Sequence, residues 1–134
     1  MMKRHMAREL AVQSLFQMEL SDLTAQEAIE FAVEGKEYDT FVEQLVNGVE
    51  TNKETIDQHI REALVNWSFE RPGNIERTIL RLAVYELLFE TNIPVRVTIN
   101  EAIGLTKAFA DEEATKIVNG VLGKVAQGVV KENS

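Results

Sequence analysis

The stretch NIERTILRLAVYELLFE, residues 74–90, constrains this chain more than any other. Ile75, Ile79, Leu80, Leu82, Ala83, Val84, Tyr85, Leu87, Leu88 and Phe89 cover almost the whole circumference of a helix at 3.6 residues per turn. A helix apolar on nearly every side has to be buried on nearly every side. Its polar residues fall in two groups: Arg77 and Arg81 are one turn apart on one side, Glu86 and Glu90 on another. Glu86 points the same way as Ile75, Ile79 and Leu82. That predicts a carboxylate hydrogen-bonded under the core, since a buried charge needs a partner. No second titratable group stands at a spacing that would make it catalytic. Pro72 and Gly73 break the preceding structure, and Asn74 is expected to cap the first turn. Glu76 sits where the helix dipole favours an acid, and Asn92 and Pro94 end the element.

The flanking segments also read as helices. The first runs from about Arg4 to Leu20, with Ala7, Leu10, Ala11, Ser14, Leu15 and Met18 as a packing stripe. A second strip on it holds His5, Arg8, Val12, Phe16 and Leu20. Phe16 is either core or an aromatic platform among basic residues. Lys3, Arg4 and Arg8 are either a solvated helix start or an anion-binding end, and cations there oppose the helix dipole.

Thr24-Ala25-Gln26-Glu27 is a capping box whose helix ends at Gly35. A helix near Asp39 carries Phe41, Val42, Leu45, Val46 and Val49. Thr51-Asn52-Lys53-Glu54 repeats the box before Ile56, Ile60, Ala63 and Leu64, and Trp67 and Phe69 are expected to cover the start of the central helix. Val95 to Ile99 has strand composition, but Thr98-Ile99-Asn100-Glu101 is a third box, so a helix is expected. Asp111 caps the last helix, with Ile117, Val118, Val121, Leu122 and Val125 as its apolar face. Gly120 and Gly123 each cost about 1 kcal/mol against alanine there, which predicts close approach of another helix. The tail after Val130 is expected to be disordered. An all-α fold of about seven helices with short loops follows.

The net charge of −8 is unevenly spread. Glu19 to Asp57 holds eleven acids against two lysines, while the first eight residues hold Lys3, Arg4, His5 and Arg8 and no acid. One acidic flank and one basic end suit two different partners. At 134 residues one domain, or two small lobes, is expected. There are no cysteines, hence no disulfide or thiolate site. No apolar run reaches membrane-spanning length and the N-terminus lacks the apolar core of a signal peptide, so a soluble cytoplasmic protein is expected. No phosphate loop, zinc-spaced histidine pair or serine nucleophile motif occurs, and His5 and His59 lie far apart. A binding module rather than an enzyme follows, with no cofactor or metal.

Four blocks carry more. ARELAVQSLFQMEL, ERTILRLAVYELLF, VTINEAIGLTKAFA and KIVNGVLGKV occur in this order. Together they resemble the NusB family of bacterial transcription antitermination factors, from about Lys3 to Val129. The resemblance implies one NusB-like domain over residues 1–134, built as two packed three-helix bundles. It implies binding of boxA RNA from ribosomal RNA operon leaders jointly with NusE, a ribosomal small-subunit protein, and entry into the RNA polymerase elongation complex. The residues it implicates in RNA contact are Lys3, Arg4, His5, Arg8, Phe16, Lys116 and Ile117; those for NusE are Glu76 and Arg77.

This sequence departs from the family at His5 and Met6, where relatives often have arginine, and at Ile117, where phenylalanine is common. NusE is therefore expected to complete the RNA surface. The RNA role also expects cations from the two ends of the chain to form one groove, and affinity to fall with salt by a slope of about −0.7 per phosphate contact. A homodimer is an open possibility. Two alternatives come from other classes. One is the NusB-like N-terminal domain of ribosomal RNA cytosine methyltransferases, which expects a catalytic domain after Ser134. The other is a protein-interaction module working through the acidic segment.

Overall fold

The computed structural model describes residues 2–64, 69 and 71–131. Those residues form seven helices, and no strand occurs among them. The helices are α1 (Arg4–Leu20), α2 (Ala25–Val33), α3 (Thr40–Thr51), α4 (Lys53–Ala63), α5 (Asn74–Phe89), α6 (Val95–Phe109) and α7 (Thr115–Gln127). The chain divides into two compact units, Met1–Thr51 with α1 to α3 and Asn52–Ser134 with α4 to α7.

In the first unit α1 packs on α2 and α3 through Ala7, Ala11, Ser14 and Leu15, all buried. Small side chains at these turns let the neighbouring backbones approach, and the Ser14 hydroxyl is satisfied by donating to the Leu10 carbonyl at 2.8 Å. The α2 capping box forms as read: the Glu27 amide donates to Thr24 Oγ1 and the Thr24 amide to Glu27 Oε1. Left-handed Glu34 (φ 53°) and Gly35 (φ 78°) end the helix, the second at no steric cost because glycine has no Cβ. Asp39 accepts the Phe41 amide at 2.9 Å and so starts α3.

In the second unit α5 is the core element. Its residues Thr78 to Leu87 are all buried, and α4, α6 and α7 pack around it. Each fully buried aliphatic there contributes about 1.5–3 kcal/mol relative to exposure. Every polar side chain on this buried run has a partner. Arg81 donates from Nε and Nη2 to Asp57 Oδ1 and Oδ2 at 2.8 and 3.1 Å. Glu86, 1% exposed, accepts from the Thr98 hydroxyl at 3.0 Å, the structural carboxylate expected from the sequence.

Several local expectations are corrected. Thr51 does not open a helix: α3 runs through it, and α4 starts after Asn52, whose side chain makes no cap bond. Thr98 does not cap α6, which begins at Val95 directly after Pro94. Pro94 supplies an extended N-cap (φ −60°, ψ 146°), and the Thr98 hydroxyl is taken by Glu86. Asn74 is the first residue of α5 rather than its cap; Gly73 holds the cap position. Asp111 accepts the Ala114 amide at 2.8 Å and thereby caps the turn before α7.

Among the described residues Gly120 and Gly123 meet no neighbour: a Cβ on either would touch none of them within 4 Å. The tail expectation is corrected at Lys131. Its ammonium donates to the carbonyls of Glu86, Glu90 and Ile93, each at 2.9 Å, and so caps the C-terminal end of α5. Phe69 sits beside Arg77 at the start of α5 as expected, while Trp67 lies outside the described residues.

Candidate nucleic-acid interface

The first cluster is built on the start of α1. Lys3 is its N-cap with no side-chain acceptor, no acid stands in the first turn, and Lys3, Arg4 and His5 are exposed. Uncapped first-turn amides and the positive dipole end make such a terminus attractive to anions. The Arg4 guanidinium lies 3.7 Å from the centroid of the Phe41 ring, which α3 presents from its first turn. This stacking holds the cation while leaving its N–H edges available. Arg8 reaches the same ring at 5.9 Å but is only 3% exposed. It underpins the platform and is not an open surface cation. His5 pairs with Glu9 at 3.5 Å. Phe16 is half-buried farther along α1.

The second cluster lies in the other unit. A groove of about 550 Å³ has Leu64, Pro72, Ile117 and Val121 among its apolar lining and Gly120 at its α7 wall. Lys116, Lys124 and Arg71 line it together with Glu76, Asp111 and Glu113. Thus Lys116 and Ile117, implicated in RNA contact, and Glu76, implicated in partner contact, share one groove. Lys116 pairs with Glu113 at 3.3 Å, both side chains more than three-quarters exposed, so water and salt screen the pair. The Glu76 carboxylate folds back over Gly73, where a Cβ would approach its oxygens to 2.8 Å. That places the charge at the N-terminal end of α5.

Arg77 is differently employed. It donates to the carbonyls of Pro72 at 2.8 Å and Phe69 at 3.4 Å and to Asn74 Oδ1. Its guanidinium lies 5.5 Å from the Phe69 ring centroid, with Arg61 at 4.5 Å and Arg81 at 5.6 Å around the same ring. Arg77 therefore ties the segment before α5 to the helix. Sequence pattern missed this role, because its partners are carbonyls that no periodicity marks. It also missed Phe41 as the seat of Arg4, and Arg71 and Lys124 beside Lys116. Among the described residues no group of three or more His, Cys, Asp or Glu side chains is placed to hold a metal ion. No described helix is long and apolar enough to cross a membrane.

Comparison with known proteins follows the same lines. A profile of the NusB family matches residues 5–127. The transcription antitermination protein NusB of Exiguobacterium sp. is 58% identical over 124 residues, covering 92% of this chain and 97% of the relative. That of Bacillus subtilis is 48% identical over 128 residues, covering 96% and 98%. Among solved structures, T. maritima NusB superposes with a TM-score of 0.84 at 34% identity, covering 96% of this chain and 93% of that one. A crystal structure of antitermination factors NusB and NusE in complex with dsRNA matches with a TM-score of 0.83 at 30% identity, covering 94% and 98%.

Proposed function

The chain belongs to the NusB family, and from that premise we propose that it is a transcription antitermination factor that binds RNA together with NusE. The RNA is the boxA element of ribosomal RNA leaders, and the complex joins elongating RNA polymerase. The role is one of binding, without a catalytic step.

The observation that carries this reading is the near full-length match to proteins named as transcription antitermination factors, one of them solved with NusE and dsRNA. The geometry supports it in two places. The open start of α1 offers Lys3 and Arg4 for phosphates, with His5 adding charge when protonated. The groove offers Lys116 for phosphate, Ile117 as apolar surface for a base, and Glu76 for NusE. Phe16 is the half-buried aromatic of α1 that would meet a base. Arg8 and Arg77 act one step back, Arg8 by supporting the Arg4 platform and Arg77 by holding the segment that carries Pro72.

The test measures RNA affinity with NusE present. Lys3→Ala, Arg4→Ala and Lys116→Ala each remove an exposed cation and should weaken RNA binding while leaving helical content intact. Arg8→Ala weakens binding too, but it also removes a buried side chain, so its stability must be measured alongside. Wild-type affinity in all three exposed-cation variants at moderate salt would end this assignment.

A further inference from the structure

Beside the start of α1 a crevice of about 480 Å³ is lined by Met2, Lys3, Met6, Glu37 and Tyr38, all within the first unit. This is within the size range of small-ligand sites. Its composition differs from that of a phosphate site. Two thioethers and a phenol ring supply polarizable apolar surface, and Met6 is 47% exposed despite its size. The phenol is held in place at its far end. Its hydroxyl donates to Glu43 Oε2 at 3.0 Å and accepts from Gln26 Nε2 at 3.4 Å. An aromatic fixed in this way is a preordered surface for a stacked base. Lys3 stands at the crevice and Arg4 follows it on the Phe41 platform, so phosphate-attracting groups adjoin the apolar wall.

Glu37 is the group that decides what fits. It is exposed, belongs to the acidic segment from Glu19 to Asp57, and shares the crevice with Lys3. A carboxylate repels a phosphate but accepts hydrogen bonds from the N–H groups of a base. Guanine presents two adjacent donors on one edge, N1–H and the 2-amino group, which match the two oxygens of a carboxylate. Cytosine, adenine and uracil each present one donor group on that edge. We propose that this crevice receives one unstacked guanine of the bound RNA, its face against Tyr38 and Met6 and its donor edge on Glu37. The proposal rests on the RNA-binding reading above and adds to it a base subsite that the resemblance does not mark at Met6, Glu37 or Tyr38.

The experiment uses the full chain with NusE and boxA RNA in which each guanosine in turn is replaced by inosine, which lacks the 2-amino donor. At one position inosine should weaken wild-type binding by roughly tenfold or more, the loss of one hydrogen bond to a charged group. Glu37→Ala should abolish the difference at that position. The inosine difference is the readout because removing a negative charge raises affinity for every RNA alike. Met6→Ala, at an exposed helical site, should weaken binding of the parent RNA by roughly threefold. If no guanosine shows an inosine effect that depends on Glu37, the guanine subsite is wrong while the antitermination reading stands. If wild-type protein with NusE binds no boxA RNA, that reading fails first. If Glu37→Ala alters NusE affinity in the absence of RNA and leaves the inosine effect unchanged, the crevice is a protein contact and the base assignment falls.

Discussion

Gly120→Ala should make the protein more stable and its complex weaker. Gly120 lies inside α7 with no positive φ, and a Cβ there meets no described residue within 4 Å. The methyl therefore introduces no clash, and only helix propensity remains. Alanine exceeds glycine in a helix interior by about 0.5–1 kcal/mol. For a chain of 134 residues that raises the melting temperature by roughly 2–5 °C. Gly123 has the same open surroundings but is not part of the groove, so Gly123→Ala should give the same stabilisation.

The two glycines separate on binding. Gly120 shares the groove with Lys116, Ile117 and Glu76, and a methyl added to a closely packed contact costs about 1–3 kcal/mol. NusE–RNA affinity should then fall by roughly tenfold for Gly120→Ala and stay unchanged for Gly123→Ala. Urea denaturation followed by circular dichroism gives the first quantity, and titration of labelled RNA in the presence of NusE gives the second. Destabilisation by Gly120→Ala would refute the description of α7. Equal binding by both variants would refute the claim that this groove is occupied.

Two other outcomes follow from buried and capped charges. Asp57→Ala leaves the Arg81 guanidinium, 8% exposed, without its two charge-assisted bonds, and should cost about 3–5 kcal/mol in urea denaturation, whereas Asp57→Leu with Arg81→Met should recover most of it; a single-variant cost below about 1 kcal/mol would contradict the ion pair. Hydrogen bonds from the Thr24 backbone and side chain hold the Glu27 carboxyl below its ordinary value of 4.5. Its contribution is therefore fully present above that value and is lost as the pH falls below it towards the folded-state pKa. The difference in stability between wild type and Glu27→Ala, measured against pH, should shrink below pH 4.5 and not above it.

The helices were legible chiefly through apolar spacing, and α5 declared its burial through apolar residues on nearly every side. Capping logic was less dependable. Thr24 and Thr98 head the same kind of box, but only Thr24 itself holds the extended N-cap position at a helix start. Thr98 lies a turn inside α6, where its hydroxyl serves Glu86. Gly120 and Gly123 misled for a related reason: propensity reports a cost, and no described residue supplies the expected neighbour. For the site, the start of α1 was marked by its run of cations as well as by motif resemblance, and the residues on α7 came from the resemblance alone. The stacking of Arg4 on Phe41, the loop tie made by Arg77 and the crevice at Tyr38 depend on contacts between distant positions, which no local pattern encodes.

The most direct test is a gel-shift titration of boxA RNA with this protein, with and without NusE, at several salt concentrations. Cooperative recognition predicts that NusE tightens RNA binding by roughly 5- to 150-fold and that RNA tightens NusE binding by the same factor. With Lys3, Arg4 and Lys116 each meeting one phosphate, the logarithm of affinity should fall against the logarithm of salt with a slope of about −2. RNA affinity that is identical with and without NusE would contradict the account.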